Sequence, residues 1–89
     1  MENVITKKPV VTIYSTPTCV YCKMAKDFFK EHNVLYEEKD VSIDQGARQK
    51  LIELSGQLGV PVIDIDGEII VGFNQAKLAK ILNIQEQVG

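Results

Sequence analysis

Val10-Val11-Thr12-Ile13-Tyr14-Ser15-Thr16-Pro17-Thr18-Cys19-Val20-Tyr21-Cys22 decides how the rest of the chain is read. Its first residues form a short, β-branched run suited to a buried strand. Ser15-Thr16-Pro17-Thr18 breaks that run. Met24, Ala25, Phe28 and Phe29 then recur at helical spacing, which predicts a helix over roughly 20–32 with Met24, Phe28 and Phe29 in the core. Cys19 and Cys22 are the chain's two cysteines, and they fall where the strand gives way to the helix. A thiol at a helix N-terminus faces unpaired amides and the positive end of the dipole, which favour its thiolate. The thiolate is the nucleophile of disulfide exchange. Residues three apart in a helix have Cα atoms about 5 Å apart, inside the window a disulfide tolerates. Cys19, at the helix mouth, is therefore the candidate attacking sulfur. Cys22, a turn inward and more shielded, is the candidate resolving sulfur. Lys23 and Lys26 add positive field.

Working outward, Asn33 marks the helix exit, and residues 34–41 read as a second strand, apolar at first and then polar. Ser42 or Asp44 caps a helix over about 45–55, with Ala47, Leu51 and Leu54 on one face and Gly56 past its end. Val62-Ile63-Asp64-Ile65, Asp66-Gly67 and Glu68-Ile69-Ile70-Val71 carry the strongest local hairpin signal, Asp-Gly between two apolar runs. Asn74 or Gln75 opens a last helix with Ala76, Leu78, Ala79, Ile81 and Leu82 facing in. The order is β-α-β-α-β-β-α: an α/β architecture with one four-stranded mixed sheet flanked by three helices. Its first two strands are parallel through a right-handed crossover.

Eighty-nine residues make a single domain over 1–89, with an ordered core over about 9–84. A net charge of −2 leaves no electrostatic footprint for nucleic acid or an acidic membrane surface. No apolar run approaches the roughly 18–20 residues of a membrane helix. Met1-Glu2-Asn3-Val4-Ile5-Thr6-Lys7-Lys8 has an acid at position 2 and no hydrophobic stretch after its lysines, so it does not read as a signal peptide. Two cysteines without an export signal point to the reducing cytoplasm. No metal site is expected, because tetrahedral zinc wants four ligands and His32 is the one other soft candidate. His32, Lys7-Lys8 and Glu37-Glu38 read as solvated ends and faces.

From Val10 to Ile84 the chain resembles the glutaredoxin family, the small form of the thioredoxin fold. The matching features are Tyr14-Ser15-Thr16-Pro17-Thr18-Cys19-Val20-Tyr21-Cys22, Ser55-Gly56-Gln57-Leu58-Gly59-Val60-Pro61-Val62 and Ile70-Val71-Gly72-Phe73-Asn74. The resemblance implies a dithiol–disulfide oxidoreductase, an electron carrier that reduces protein disulfides through Cys19 and Cys22. It also implies a cis peptide bond before Pro61, with that proline against the cysteines. Val60 would then offer its backbone to an extended client segment as a short added strand. Tyr14, Tyr21 and Phe73 are candidates to frame an apolar patch there, and Gly72, Phe73 and Asn74 complete the substrate-binding set.

Glutathione-dependent glutaredoxins usually carry Cys-Pro-Tyr-Cys, a lysine shortly before it, and Gly-Gly followed by acidic residues. Cys19-Val20-Tyr21-Cys22, Thr16 and Gly72-Phe73-Asn74-Gln75 stand at those places here. About two charge-assisted contacts to glutathione are thereby lost, each worth roughly 1.5–3 kcal/mol. Gly72-Phe73 is instead similar to the glutaredoxin-like redoxins that serve ribonucleotide reductase and take electrons from thioredoxin reductase. No cofactor is implied beyond the cysteine pair, with glutathione a weaker option. The expected partners are protein disulfide clients and either a flavoprotein thioredoxin-type reductase or glutathione as donor, and the chain is expected to act as a monomer. The alternatives are a glutathione-dependent glutaredoxin, an iron–sulfur carrier bridging two copies, and a two-thiol carrier of a soft metal ion. The last usually has the order β-α-β-β-α-β, which this chain lacks.

Overall fold

The computed structural model describes residues 9–83; Met1–Lys8 and Ile84, on which expectations were placed above, lie outside them. Along the chain run β1 (Val11–Ser15), α1 (Val20–Glu31), β2 (Glu37–Asp40), α2 (Gln45–Ser55), β3 (Val62–Ile65), β4 (Glu68–Val71) and α3 (Gln75–Leu82). The strands form one sheet in the order β2-β1-β3-β4. β1 pairs parallel with β2, Thr12 opposite Glu37 and Ser15 opposite Asp40. The β1–β3 and β3–β4 pairs are antiparallel. This is the architecture that the spacing of apolar runs predicts.

Local chemistry sets most of the boundaries. Asp66 and Gly67 both have positive φ, 51° and 93°, the requirement of a two-residue hairpin turn whose twist matches its strands. The Asp64 carboxylate accepts from Gly67 N–H at 2.8 Å and stabilises that turn. Asp44, not Ser42, caps α2 by accepting from Ala47 N–H at 3.0 Å; Ser42 bonds Asp40 instead. Gly56 closes α2 in the left-handed conformation. Asn74 caps α3, its side-chain oxygen accepting from Lys77 N–H at 3.0 Å.

Three expectations need correction. Val34, Leu35 and Tyr36 are not in β2, which starts at Glu37. Asn33 takes a left-handed φ of 58°, its N–H bonds the Lys30 carbonyl, and the Val34 N–H bonds the Phe29 carbonyl. That double closure ties Val34 to the end of α1, so its amide is not offered to β1. Ala76 is exposed on α3, whose buried side is Leu78 and Ala79. Met24 is 44% exposed, because it lies well round α1 from the buried arc of Cys22, Ala25, Phe28 and Phe29.

Strand alternation divides the interior into two cores. On one face Val11, Ile13, Ile63, Ile65 and Ile70 pack against Ala25, Phe28 and Phe29 of α1 and Leu78 and Ala79 of α3. On the other, Tyr14 and Val62 pack with Val41 under Ala47 and Leu51 of α2. Ile13, Ile63 and Ile70 are direct register partners, so one apolar row crosses three strands of the α1–α3 face.

Candidate active site

The chain leaves the sheet after Ser15 and turns through Thr16, whose carbonyl accepts from Cys19 N–H at 3.3 Å. Cys19 then takes extended geometry, φ −87° and ψ 114°, as the cap residue of α1. It fills the place that serine, threonine or aspartate takes at most helix starts, with sulfur where their oxygen would be. Its Sγ accepts from Cys22 N–H at 3.1 Å. A main-chain donor and the positive end of the helix dipole both point at that sulfur, and no acidic residue lies in the first turn.

The two sulfurs have opposite surroundings. Cys19 is partly exposed, whereas Cys22 is fully buried, and both are free thiols. Burial, and then the hydrogen bond from the Cys22 thiol to Cys19, push the Cys22 pKa up to about 12. The Thr16 backbone amide and the Lys26 ammonium pull in the opposite direction. One sulfur is therefore reachable and donor-supported, and the other is kept protonated at neutral pH.

Across from Cys19 stands Val60, whose carbonyl accepts a long S–H contact from Cys19 at 3.9 Å. The Val60–Pro61 peptide bond is cis, as the resemblance implies, and Pro61 is fully buried. The Pro61 carbonyl accepts from Gly72 N–H at 2.8 Å. Gly72 has φ 86°, a conformation that glycine adopts without strain. An added Cβ there would meet nothing within 4 Å, so the backbone angle and not space requires the glycine. Val60 thus meets Cys19 directly, and Gly72 is tied to the same segment through Pro61. Phe73 follows half-buried, its ring edge-on to Phe28 at 6.1 Å, and Asn74 directs its side-chain oxygen into the start of α3.

The structure does not bring Tyr14 into this group. Its ring is 5% exposed and packs beneath α2, on the face of the sheet opposite to that of Ile13. Tyr21 does sit beside Cys19 in sequence with its ring outward, 61% exposed, between exposed Val20 and Met24. The apolar surface near the cysteines is therefore a strip on the first turns of α1.

Ser15 and Glu38 form a polar pair behind α1 to which the cysteine motif does not point. Ser15 is fully buried and donates its hydroxyl to Glu38 Oε2 at 2.8 Å. The same oxygen takes the Lys26 ammonium at 2.8 Å. Alternation along β1 is the signal that finds Ser15, since it shares Ile13's face under α1. Glu38, the register partner of Ile13, follows only once the pairing is known.

A sequence model of the glutaredoxin family matches residues 11–70. The chain is 47% identical to an uncharacterised glutaredoxin-like 8.6 kDa protein from the rubredoxin operon of Clostridium pasteurianum, over 82% of this chain and 97% of that one. It is 35% identical to the glutaredoxin-like protein NrdH of Lactococcus lactis, over 81% of this chain and 99% of that one. The crystal structure of the thioredoxin-like protein BC3987 superposes with a TM-score of 0.77 at 39% identity, covering 81% of this chain and 99% of that one.

Proposed function

The chain belongs to the glutaredoxin family, and from that premise we propose that it is a dithiol–disulfide oxidoreductase that reduces protein disulfides with Cys19 as nucleophile and Cys22 as resolving thiol. The observation that carries this reading is the Cys22 amide bonded to the Cys19 sulfur at 3.1 Å, with the Cys22 sulfur buried behind it. Cys19 thiolate attacks one client sulfur, the client S–S bond breaks, and the second client sulfur leaves as a thiolate and takes a proton. Cys22 then gives up its proton and bonds to Cys19 Sγ. The Cys19–client bond breaks, and the first client sulfur departs and is protonated. Two electrons pass to the client and the Cys19–Cys22 disulfide remains. Beyond burial, Cys19 itself holds the Cys22 pKa up through its hydrogen bond and its charge, and that opposition to ionisation falls away once Cys19 carries the client.

Clients would lie across Val60 and Pro61 with Tyr21 and Phe73 alongside. The disulfide would be recharged by a flavoprotein reductase of the thioredoxin type, the cysteine pair being the sole redox group, in a monomer working in a reducing compartment. Supporting that donor is the first turn of α3, which holds no acid for the amino group of glutathione, and Thr16, which offers no charge for its carboxylates. The Asn74 side-chain oxygen is engaged in capping α3. Oxidised protein offered NADPH with thioredoxin reductase should be reduced rapidly, and NADPH with glutathione and glutathione reductase should act far more slowly. Faster recharging by glutathione would overturn the choice of donor. Disulfide reduction by a variant with both cysteines replaced by serine would overturn the reaction itself.

A further inference from the structure

Lys26 follows Cys22 by four residues, one turn of α1 and a rise of about 6 Å, so the two side chains share a helix face. An unrestrained lysine there would extend into solvent. This one is held: Glu38 Oε2, reaching across from β2, accepts from the Lys26 ammonium at 2.8 Å and from the buried Ser15 hydroxyl at 2.8 Å. Ser15 is anchored at the end of β1, where its carbonyl accepts from Val41 N–H at 3.0 Å. The next residue, Thr16, presents its backbone amide to the Cys22 sulfur. Sheet, turn and helix thus converge on Cys22.

Resting on the reading that Cys22 resolves the mixed disulfide, we propose that Lys26 is a positioning residue for that step, its ammonium fixed by Glu38 and Ser15 so that it stabilises the Cys22 thiolate as it forms. The balance of the step is unchanged. Cys22 loses a proton, its sulfur bonds to Cys19 Sγ, the Cys19–client bond breaks, and the departing client sulfur takes up a proton. Lys26 stays protonated throughout and acts by its charge. Around Cys22, that charge is joined by Cys19 on the same helix and the Thr16 amide from the turn. Around the Lys26–Glu38 pair stand Tyr36 and Asp40. The effect concerns the second sulfur, because Lys26 lies one turn beyond Cys22 and its charge acts on that thiol; Lys23 is turned outward into an exposed pair with Asp27 at 3.0 Å.

An aromatic disulfide whose released thiolate absorbs visible light separates the two steps. Attack by Cys19 gives a first release whose rate follows reagent concentration, and resolution by Cys22 gives a second, first-order release. Lys26→Met should slow the second phase about two- to fivefold, leave the first unchanged, and move the pH profile of the second phase upward. Lys26→Arg should restore both rate and profile. Glu38→Gln should also slow the second phase, and Lys26→Met/Glu38→Gln should be no slower than Lys26→Met alone. A second phase in Lys26→Met as fast as in wild type, or equal slowing of both phases, would overturn the assignment of Lys26. A faster second phase in Glu38→Gln would overturn the holding role of Glu38. Should wild type show no second release at all, the resolving role of Cys22 itself would fall, which is a different failure.

Discussion

Beneath α1 and α3 the sheet presents Ile13, Ile63 and Ile70, with Ser15 and Glu38 at the end nearest Lys26. Beneath α2 it presents Tyr14 and Val62. Both faces come from alternate residues of the same strands, and both bury apolar side chains to near completion. They differ in what continues from them. On the α1 side the strand runs through a turn into the helix that carries both cysteines, and Lys26 and the Thr16 amide act on the Cys22 sulfur there. The α2 side meets the cysteines through Val60, which packs against that cluster and turns its carbonyl toward Cys19. Its helix is capped by Asp44 and closed by Gly56, and its contacts with the sheet are packing. The charged and hydroxylic groups near Lys26 therefore lie on the α1 face, and the other face stabilises the sheet and seats Val60.

Deleting a large side chain from the quiet face tests this division most severely. Leu51→Ala removes a fully buried side chain beneath α2 and should cost about 3 kcal/mol of unfolding free energy, read from the denaturant midpoint. Both phases of thiol release should keep their wild-type rates while the protein remains folded. Altered exchange in folded Leu51→Ala would mean that the α2 side helps to place the cysteines.

A smaller effect separates the faces by pH. In the reduced protein the Cys22 pKa is raised from 9.0 to about 12, so the folded state holds a proton that the unfolded chain releases. The stability this thiol contributes is complete below pH 9 and is lost as pH rises through 12. Oxidised protein has no such thiol. Tyr14, Lys26 and Lys39, whose values are also raised, are present in both forms. Unfolding midpoints measured at about pH 8 and about pH 10.5 should therefore show the reduced form weakening more than the oxidised form. Equal losses would indicate that Cys22 is not shielded as its burial implies.

Order and type of the elements could be read from the sequence because they rest on local chemistry: the β-branched run before Thr16, the Asp66-Gly67 turn, the caps at Asp44 and Asn74. Cys19 and Cys22 were readable for the same reason, since spacing and a strand–helix junction define them. Harder were features set by partners distant in the chain. Val34–Tyr36 look like strand, but the closure of α1 at Asn33 holds Val34 first. Glu38 is solvent-exposed as its sequence suggests, but its partners follow only from the β1–β2 register, which puts it opposite Ile13 and next to Ser15. Tyr14 looks like a site aromatic because it precedes the cysteines, although alternation puts it on the other face.

Tyr14 and Ser15 are neighbours, and together they give the finest test of the two-face arrangement. Tyr14→Phe keeps the ring under α2 and removes only the hydroxyl. The phenol is raised above its ordinary value first by burial and then by Asp64, and Asp64 bonds the hairpin turn, not either cysteine. The substitution should change stability by about 1 kcal/mol or less and leave both release phases as they are. Ser15→Ala, one residue on, removes the hydroxyl that helps hold Glu38 and should slow the second phase alone, by less than Lys26→Met does. A Tyr14→Phe variant with slowed release would show that the aromatic reaches the cysteines after all. A Ser15→Ala variant indistinguishable from wild type would leave the Lys26–Glu38 pair as its own support, with the β1 anchor dispensable.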